Sequence, residues 1–399
     1  MDSSIPYAQS LWLMLPIVVS LILTMGLTWI FYPALLVAWS DEVKWEETQL
    51  TADGASDQNE DVAKKRQSVV LSLVIPAYNE EDRIFVMLQA AHKFLESSAG
   101  NAVLARLSKC AEKLSKFGKD DAYDSPTTVV EWIIVNDGSK DGTCSAVKDA
   151  YAKLSKEHVT KSKTTEHFWK LITLNVNSGK GAAVKTGMLS ARGKFRLMVD
   201  ADGATDFGPG LELLVKQLCT HVLHERNDRS ECLHPEGKQN EEELASDLVA
   251  ILGSRAHLQN KAVAQRSLVR TLLMHAFHFF VSMLVSSRIR DTQCGFKLFT
   301  ESAAKLAFGS LHLRRWAFDT ELVMVCNLVA GTNGKGGKNS SIRGIQLFEV
   351  GVPWQEVEGS KLNTSKFALA WVSLSMLRDM ICVRACYSLG IWKVKQEYL

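Results

Sequence analysis

Phe195-Arg196-Leu197-Met198-Val199-Asp200-Ala201-Asp202 is the stretch on which the reading of this chain turns. The apolar run predicts a short buried strand, and it ends in two carboxylates one residue apart. Residues two apart on a strand point the same way. Past the strand end both carboxylates can turn toward one hard cation, and such a cation can bridge a diphosphate. That favours a nucleotide-diphosphate enzyme over a metal-free binding module. Alone, Asp-x-Asp is a common strand cap, so the weight falls on its surroundings.

Upstream, Val69 to Pro76 predicts a buried strand stopped by proline, with helical spacing from Glu80 to Leu95. A second strand, Val129 to Val135, runs into the turn Asn136-Asp137-Gly138-Ser139. A helix is expected over 143–158 and a third strand over Leu171 to Leu174, and Asn177-Ser178-Gly179-Lys180-Gly181 opens the next helix. After the quoted stretch, Leu248 to Gly253 resumes as a strand. Strand–turn–helix repetition is the signature of an α/β sheet built on parallel strands, with its ligand crevice at their carboxyl ends. The polar motifs all fall there. Gly179-Lys180-Gly181 lacks the GxxxxGK[ST] pattern of a phosphate-binding P-loop.

The expected organisation is an anchor over 1–40, a polar linker over 41–67, a catalytic domain over 68–366 and a helical segment over 367–399. Two polar insertions, 97–127 and 223–247, are expected to be exposed, the first with some helix. Hydrophobic content of 46% excludes global disorder, and a formal charge of +2 gives no case for a nucleic-acid surface. Eight scattered cysteines without a CxxC pair indicate neither a zinc site nor a disulfide framework, and reduced thiols are expected.

No residue from Ser3 to Ser40 is charged, and Leu11 to Trp39 is long and apolar enough to span a bilayer. Without a basic n-region it reads as an anchor rather than a cleaved signal peptide. Lys44, Lys64, Lys65 and Arg66 follow it and none precedes it, which places the rest of the chain in the cytosol, although acidic residues lie nearer. The segment 267–287 suits an amphipathic helix at the membrane interface, as does the tail 367–394, and a core helix competes for both.

Together the motifs supply carboxylates for a nucleoside, a lysine for phosphate charge and two aspartates for a metal. Leu73-Val74-Ile75-Pro76-Ala77-Tyr78-Asn79-Glu80-Glu81, Val135 to Ser139, Gly179-Lys180-Gly181 and Asp200-Ala201-Asp202 resemble the inverting family-2 glycosyltransferases. Gly253-Ser254-Arg255, Arg290 to Lys297, Arg315 to Glu321, Val352-Pro353-Trp354 and Glu356 to Leu362 resemble one branch of them, the dolichyl-phosphate β-glucosyltransferases. The resemblance covers roughly 68–365 plus the anchor, without the two insertions.

It implies a GT-A fold, Rossmann-like with a mixed sheet, an N-terminal transmembrane helix and membrane-interface helices. It implies transfer of glucose from UDP-glucose to dolichyl phosphate with inversion, at the endoplasmic reticulum membrane, with the catalytic domain facing the cytosol. Pro76, Tyr78 and Glu80 would line the nucleoside pocket, Asp137 would read the uracil, and Lys180 would lie close to the nucleotide. Asp200 and Asp202 would hold Mg²⁺ or Mn²⁺ against the diphosphate. Where some relatives have a glutamine two residues later, this chain has Ala204, which leaves the rest of the coordination shell open.

A phosphate monoester acceptor is already ionised near neutral pH, so transfer can rest on alignment and electrostatics. Arg255, Arg266 and Arg270 are the candidates for the acceptor phosphate, and the last two equally suit anionic lipid heads. Asp291 and Gln293 resemble a catalytic segment near the sugar and acceptor phosphate, and Asp319 and Glu321 one near the donor sugar. The competing readings are a mannosyl enzyme using GDP-mannose, a processive polysaccharide synthase, and a membrane-tethered interaction protein with a dead transferase domain. Oligomeric state is not legible.

Overall fold

The computed structural model describes residues 6–39, 43–50, 69–115, 128–159, 165–230, 248–258, 283, 289–331, 344–357 and 366–395. Its centre is a mixed eight-stranded sheet in the order β1-β4-β3-β2-β5-β7-β6-β8. The strands are β1 (Trp45–Leu50), β2 (Val69–Ala77), β3 (Thr128–Asn136), β4 (Thr165–Leu174), β5 (Phe195–Val199), β6 (Val249–Ser254), β7 (Phe296–Thr300) and β8 (Gln346–Gly351). β4, β3, β2 and β5 are mutually parallel, as the strand–turn–helix repeat predicts, and β6 is parallel to β8. β1 and β7 run the other way.

Near-continuous apolar strands arise because both faces of the sheet are covered. Leu71, Leu73 and Ile75 of β2, Trp132 and Ile134 of β3, and Leu197 and Val199 of β5 face one core. Val74, Ile133, Val135 and Met198 face the other. The first core is closed by α2 (Ile84–Leu95), α3 (Ser98–Ser115), α4 (Thr143–Val159) and α6 (Phe207–Ser230). The second is closed by α5 (Lys180–Ser190), α7 (Glu301–Gly309), α8 (Phe318–Gly331) and α9 (Lys366–Ser388). Trp132 and Trp169 stack across β3 and β4 with centroids 4.3 Å apart.

The antiparallel β7 shapes the crevice. Inserted between β5 and β6, it starts where those two strands end, with Phe296 opposite Val199 and Lys297 opposite Leu252. The segment that enters β7 therefore comes to the carboxyl edge, beside the loops that leave β2, β3, β5, β6 and β8.

Three stretches differ from expectation. Trp45–Leu50, placed in the linker, is an edge strand paired antiparallel with β4 along its whole length. It is exposed and polar, so it carries no apolar signal, and Glu47 lies 3.5 Å from Lys170 of β4. β4 begins six residues before the expected Leu171. Within the expected insertion 97–127, α3 buries Gly100, Val103, Leu104, Leu107, Cys110 and Ala111 against α6 and the sheet. Its Ser/Lys-rich outer face conceals a helical stripe at three- and four-residue spacing. The second insertion opens as the end of α6 through Ser230, and 231–247 lies outside the described residues. Among the described residues the cysteines are free, including Cys110 and Cys219, whose sulfurs approach to 3.1 Å between α3 and α6.

Ahead of the domain, α1 (Pro6–Trp39) contains the one described helix long and apolar enough to cross a membrane, Val19–Val37. Leu21, Ile22, Leu23 and Met25 on it are exposed. α1 packs against α9, where the Arg378 guanidinium lies 5.7 Å from the Trp29 ring and 5.6 Å from that of Tyr32. α9 combines both readings of the tail, with Met380, Cys382, Val383 and Cys386 in the core and Trp371 and Leu374 exposed. The expected helix 267–287 falls outside the described residues except for Met283.

If α3 is a core helix, Leu107→Ala should destabilise the protein by about 2–5 kcal/mol, and exposed Lys109→Ala by less than about 0.5 kcal/mol. Chemical denaturation of the two variants beside the parent measures the difference. Near-equal values would return α3 to a surface insertion.

Candidate active site

A cavity of about 640 Å³ opens at the carboxyl edge of the sheet. On its first side the loops after β2 and β3 are laced together. Asn79 N–H donates to Ser139 Oγ at 2.9 Å, Lys140 N–H to Asn79 Oδ1 at 2.8 Å, and Glu80 N–H to Thr143 Oγ1 at 2.8 Å. Pro76, Tyr78 and Glu80 reach the cavity from this frame. Glu80 is gripped by Arg83 through Nε at 2.8 Å and Nη2 at 2.7 Å. Asp137 also lines the cavity, and its carboxylate accepts Ser178 N–H at 2.7 Å and Gly179 N–H at 2.9 Å. Burial raises its pKa from the ordinary aspartate value, against those N–H groups and the nearby Arg315.

Those bonds fix the turn into α5. Gly179 has φ 99°, and a Cβ there would lie 2.5 Å from the Arg314 carbonyl oxygen, so only glycine fits. Ala182 N–H donates to the same carbonyl at 3.0 Å, which brings Arg315 and Trp316 to the cavity mouth. Lys180, the first residue of α5, points inward.

Strand alternation decides what Lys180 meets. Met198 faces the α5 side and Val199 the other, so Asp200 returns toward α5. Lys180 Nζ donates to Asp200 Oδ2 at 2.8 Å and forms an ion pair with the buried Oδ1 at 2.7 Å. Asp202 Oδ1 accepts Ala204 N–H at 3.0 Å. Across from them, a Cβ on Gly295 would fall within 1.9 Å of Asp200 Oδ2, so the close approach of β7's entry requires glycine. Among the described residues no cluster of three or more His, Cys, Asp or Glu side chains could by itself hold a metal.

The opposite wall carries an arginine held from several directions. Arg255, just past β6, donates to Asp291 from its backbone N–H at 2.9 Å, from Nε at 2.7 Å and from Nη2 at 2.8 Å. Its guanidinium carbon lies 5.5 Å from the Trp354 ring centroid. Burial lowers the Arg255 pKa, and Asp291 more than restores it, so the net shift is upward. Burial raises that of Asp291, and Arg255 outweighs it, holding the carboxyl below the ordinary range. Glu349 of β8 accepts Arg290 N–H and Asp291 N–H, each at 2.9 Å, and so fixes the loop. Gln293 lines the cavity and donates to Met376 Sδ at 3.8 Å.

The structure thus brings together Pro76, Tyr78, Glu80, Asp137, Lys180, Asp200, Asp202, Arg255, Gln293 and Asp319 around one cavity, with Asp291 directly behind Arg255. Asp319 bonds Lys297 Nζ at 2.5 Å, both side chains buried, and burial raises its pKa against Lys297 and Lys180. Glu321 is corrected. Its carboxylate is wholly buried and accepts His312 N–H at 3.0 Å, Leu313 N–H at 2.7 Å and the Tyr387 hydroxyl at 3.1 Å. It shapes the 311–316 loop and does not line the cavity. Arg266 and Arg270 lie outside the described residues. Arg83, Arg315, Trp354, Val372 and Met376 also line the cavity without a role having been read for them. Trp354 sits inside a quoted motif, whereas Val372 and Met376 arrive only by the docking of α9.

Asp291→Asn should cost about 1–2 kcal/mol of folding stability at neutral pH. Because Asp291 has a lowered pKa, its contribution is complete above the unfolded value and fades as pH falls through the folded one. The deficit should therefore be constant from pH 5 to 8 and shrink only below about pH 4. Denaturant titrations across that range check it. A deficit that shrinks already near pH 6 would exclude the Arg255 pair as its source.

The model of the family described as Glycosyl transferase family 2 matches residues 101–239. A dolichyl-phosphate β-glucosyltransferase of Homo sapiens is 38% identical over 326 residues, covering 82% of this chain and 78% of its own. One from Saccharomyces cerevisiae is 32% identical over 331 residues, with the same coverage of both chains. Among solved structures, glucosyl-3-phosphoglycerate synthase from Mycobacterium tuberculosis in complex with uridine diphosphate aligns at TM-score 0.40 and 13% identity, over 84% of this chain and 87% of that one. On the identities and coverage of these curated relatives, the chain belongs to the dolichyl-phosphate β-glucosyltransferases.

Proposed function

We propose that the chain transfers glucose from UDP-glucose to dolichyl phosphate with inversion, at the cytosolic face of the endoplasmic reticulum membrane. The observation that carries this reading is one cavity with a carboxylate–lysine wall facing a fixed guanidinium. The first wall suits a nucleoside diphosphate, and the second suits a phosphate oxygen. α1 supports the membrane location, and the Lys and Arg residues after it support the orientation.

Pro76, Tyr78 and Glu80 would bound the nucleoside, with Asp137 at its base end and Lys180 near the phosphates. Asp200 and Asp202 would hold a divalent cation, Mg²⁺ or Mn²⁺. The donor set fits a hard cation: each carboxylate offers oxygen ligands, and the buried Asp200 Oδ1 is met by the Lys180 ammonium alone, at 2.7 Å. With two carboxylates only, the remaining ligands would come from the diphosphate and water. When bound, the cation supplies Lewis-acid stabilisation of the leaving diphosphate.

The acceptor phosphate is its own nucleophile, so no side chain need remove a proton from it. What the chain must provide is alignment and neutralisation, because two anionic molecules meet at one carbon. Arg255 would orient the acceptor phosphate, and Asp291 would act through Arg255 as a positioning residue. Gln293 and Asp319 would lie toward the sugar, Asp319 with its charge balanced by Lys297.

Purified protein with UDP-glucose and dolichyl phosphate should form lipid-linked glucose, and EDTA should stop it. Lipid label from GDP-mannose alone would sink the glucose reading. Asp200→Ala and Asp202→Ala should each lower the rate by roughly a hundredfold or more while the protein remains folded. Gly295→Ala, which drives a methyl into the Asp200 carboxylate, should lower it by roughly tenfold or more. Full activity in either aspartate variant would remove the metal role.

A further inference from the structure

Lys180 is placed unusually for a lysine that serves only donor phosphates. Its ammonium bonds the very carboxylate proposed for the cation, at 2.7 Å and 2.8 Å from the two Asp200 oxygens. Asp319 and Asp202 also act on it electrostatically. Asp319 already owns a buried partner in Lys297. Three carboxylates against two ammoniums leave the cluster with one excess negative charge, so Lys180 offsets much of the repulsion around Asp200. The stem is long and flexible. It leaves α5 at its first residue, and the half-exposed Trp316 ring lies 5.9 Å from Nζ.

A divalent cation bound by Asp200 needs the same oxygen lone pairs and repels the ammonium at that distance. We propose that Lys180 and the divalent cation compete for Asp200, so that lysine holds the carboxylate until cation and diphosphate together release it toward the donor phosphates. The inference rests on the assignment of Asp200 and Asp202 as cation ligands. It makes Lys180 a positioning residue for the metal site, with an effect on cation affinity opposite in sign to its effect on nucleotide affinity.

Mn²⁺ binding to the purified full-length protein, followed by electron paramagnetic resonance of the free ion, reads this directly. Without nucleotide, Lys180→Met should bind Mn²⁺ about tenfold more tightly than the parent. Lys180→Gln should behave like Lys180→Met, and Lys180→Arg, which keeps the charge, like the parent. With saturating UDP the advantage of the neutral variants should disappear, while their UDP affinity falls. Equal or weaker Mn²⁺ binding by both neutral variants without nucleotide, including no binding in any form, would overturn the competition. Asp200→Asn separates the two levels of the argument. If it binds Mn²⁺ as the parent does, the cation ligands are wrongly assigned. If it loses binding while the neutral lysine variants gain none, only the competition fails.

Discussion

The hydrogen bond from Asp200 N–H to the Gly295 carbonyl, 3.1 Å long, marks the constraint on which the site depends. It is the last rung between β5 and β7, and it exists because β7 runs against its neighbours. A parallel β7 would deliver its entry segment to the far edge of the sheet. Reversed, it brings 291–295 to the place where β5 releases Asp200 and Asp202 and β6 releases Arg255. The two chemical walls therefore belong to β5 and β6, one strand apart across β7, and their separation is set by sheet spacing rather than by loops. Gly295 is the local condition for this, since any side chain there occupies the Asp200 carboxylate.

Such an edge crowds charge into a partly dry space, and the chain answers with pairing at depth. Lys297 is fully buried in β7 yet donates to both Asp319 and the Cys294 carbonyl at 2.7 Å. Glu131, inside β3, accepts the Ser72 hydroxyl at 2.6 Å and Arg192 N–H at 2.9 Å and lies 3.2 Å from Lys170. Glu321 ties two backbone N–H groups to Tyr387 of α9. An unpaired charge at any of these points would carry a large desolvation cost, so each is retained only with its partner. These pairs lock α5, the 311–316 loop and α9 to the sheet, and the cavity wall inherits their rigidity.

Much of this was legible because the apolar strands and the polar strand ends are local in sequence. Val69 to Ala77 and Phe195 to Val199 are recognisable from composition alone, and the motifs that follow them lie where a doubly covered sheet places ligand loops. What escaped reading is non-local. Trp45–Leu50 has no apolar face to announce it, because an edge strand with a solvated surface needs none. α3 carries a proper stripe in Val103, Leu104, Leu107 and Cys110, but serines and lysines on its outer face made the average look like an insertion. Glu321 stands in a motif two residues from Asp319, yet on α8 two residues differ by about 200° of rotation. One carboxylate therefore faces the cavity and the other the loop behind it. The Arg255–Trp354 contact joins segments a hundred positions apart, and no spacing rule reaches that far.

Two cationic groups of the cavity, Arg255 and Lys180, differ in how firmly they are held, and that difference has a mechanistic sense on the proposed reaction. Arg255 makes three bonds to one carboxylate, rests against Trp354 and stands on a loop fixed by Glu349. Its freedom is spent before any ligand arrives, so an acceptor phosphate placed by it meets a defined direction of approach. Inversion at a single carbon demands that definition. Lys180 bonds one carboxylate through a flexible stem, on the side where the proposed reaction would place the leaving diphosphate. A cation held as rigidly on the leaving group's side would bind the product diphosphate as firmly as the transition state and so slow its release. Rigidity on the nucleophile's side with mobility on the leaving group's side lets the same cavity align one anion and let go of the other.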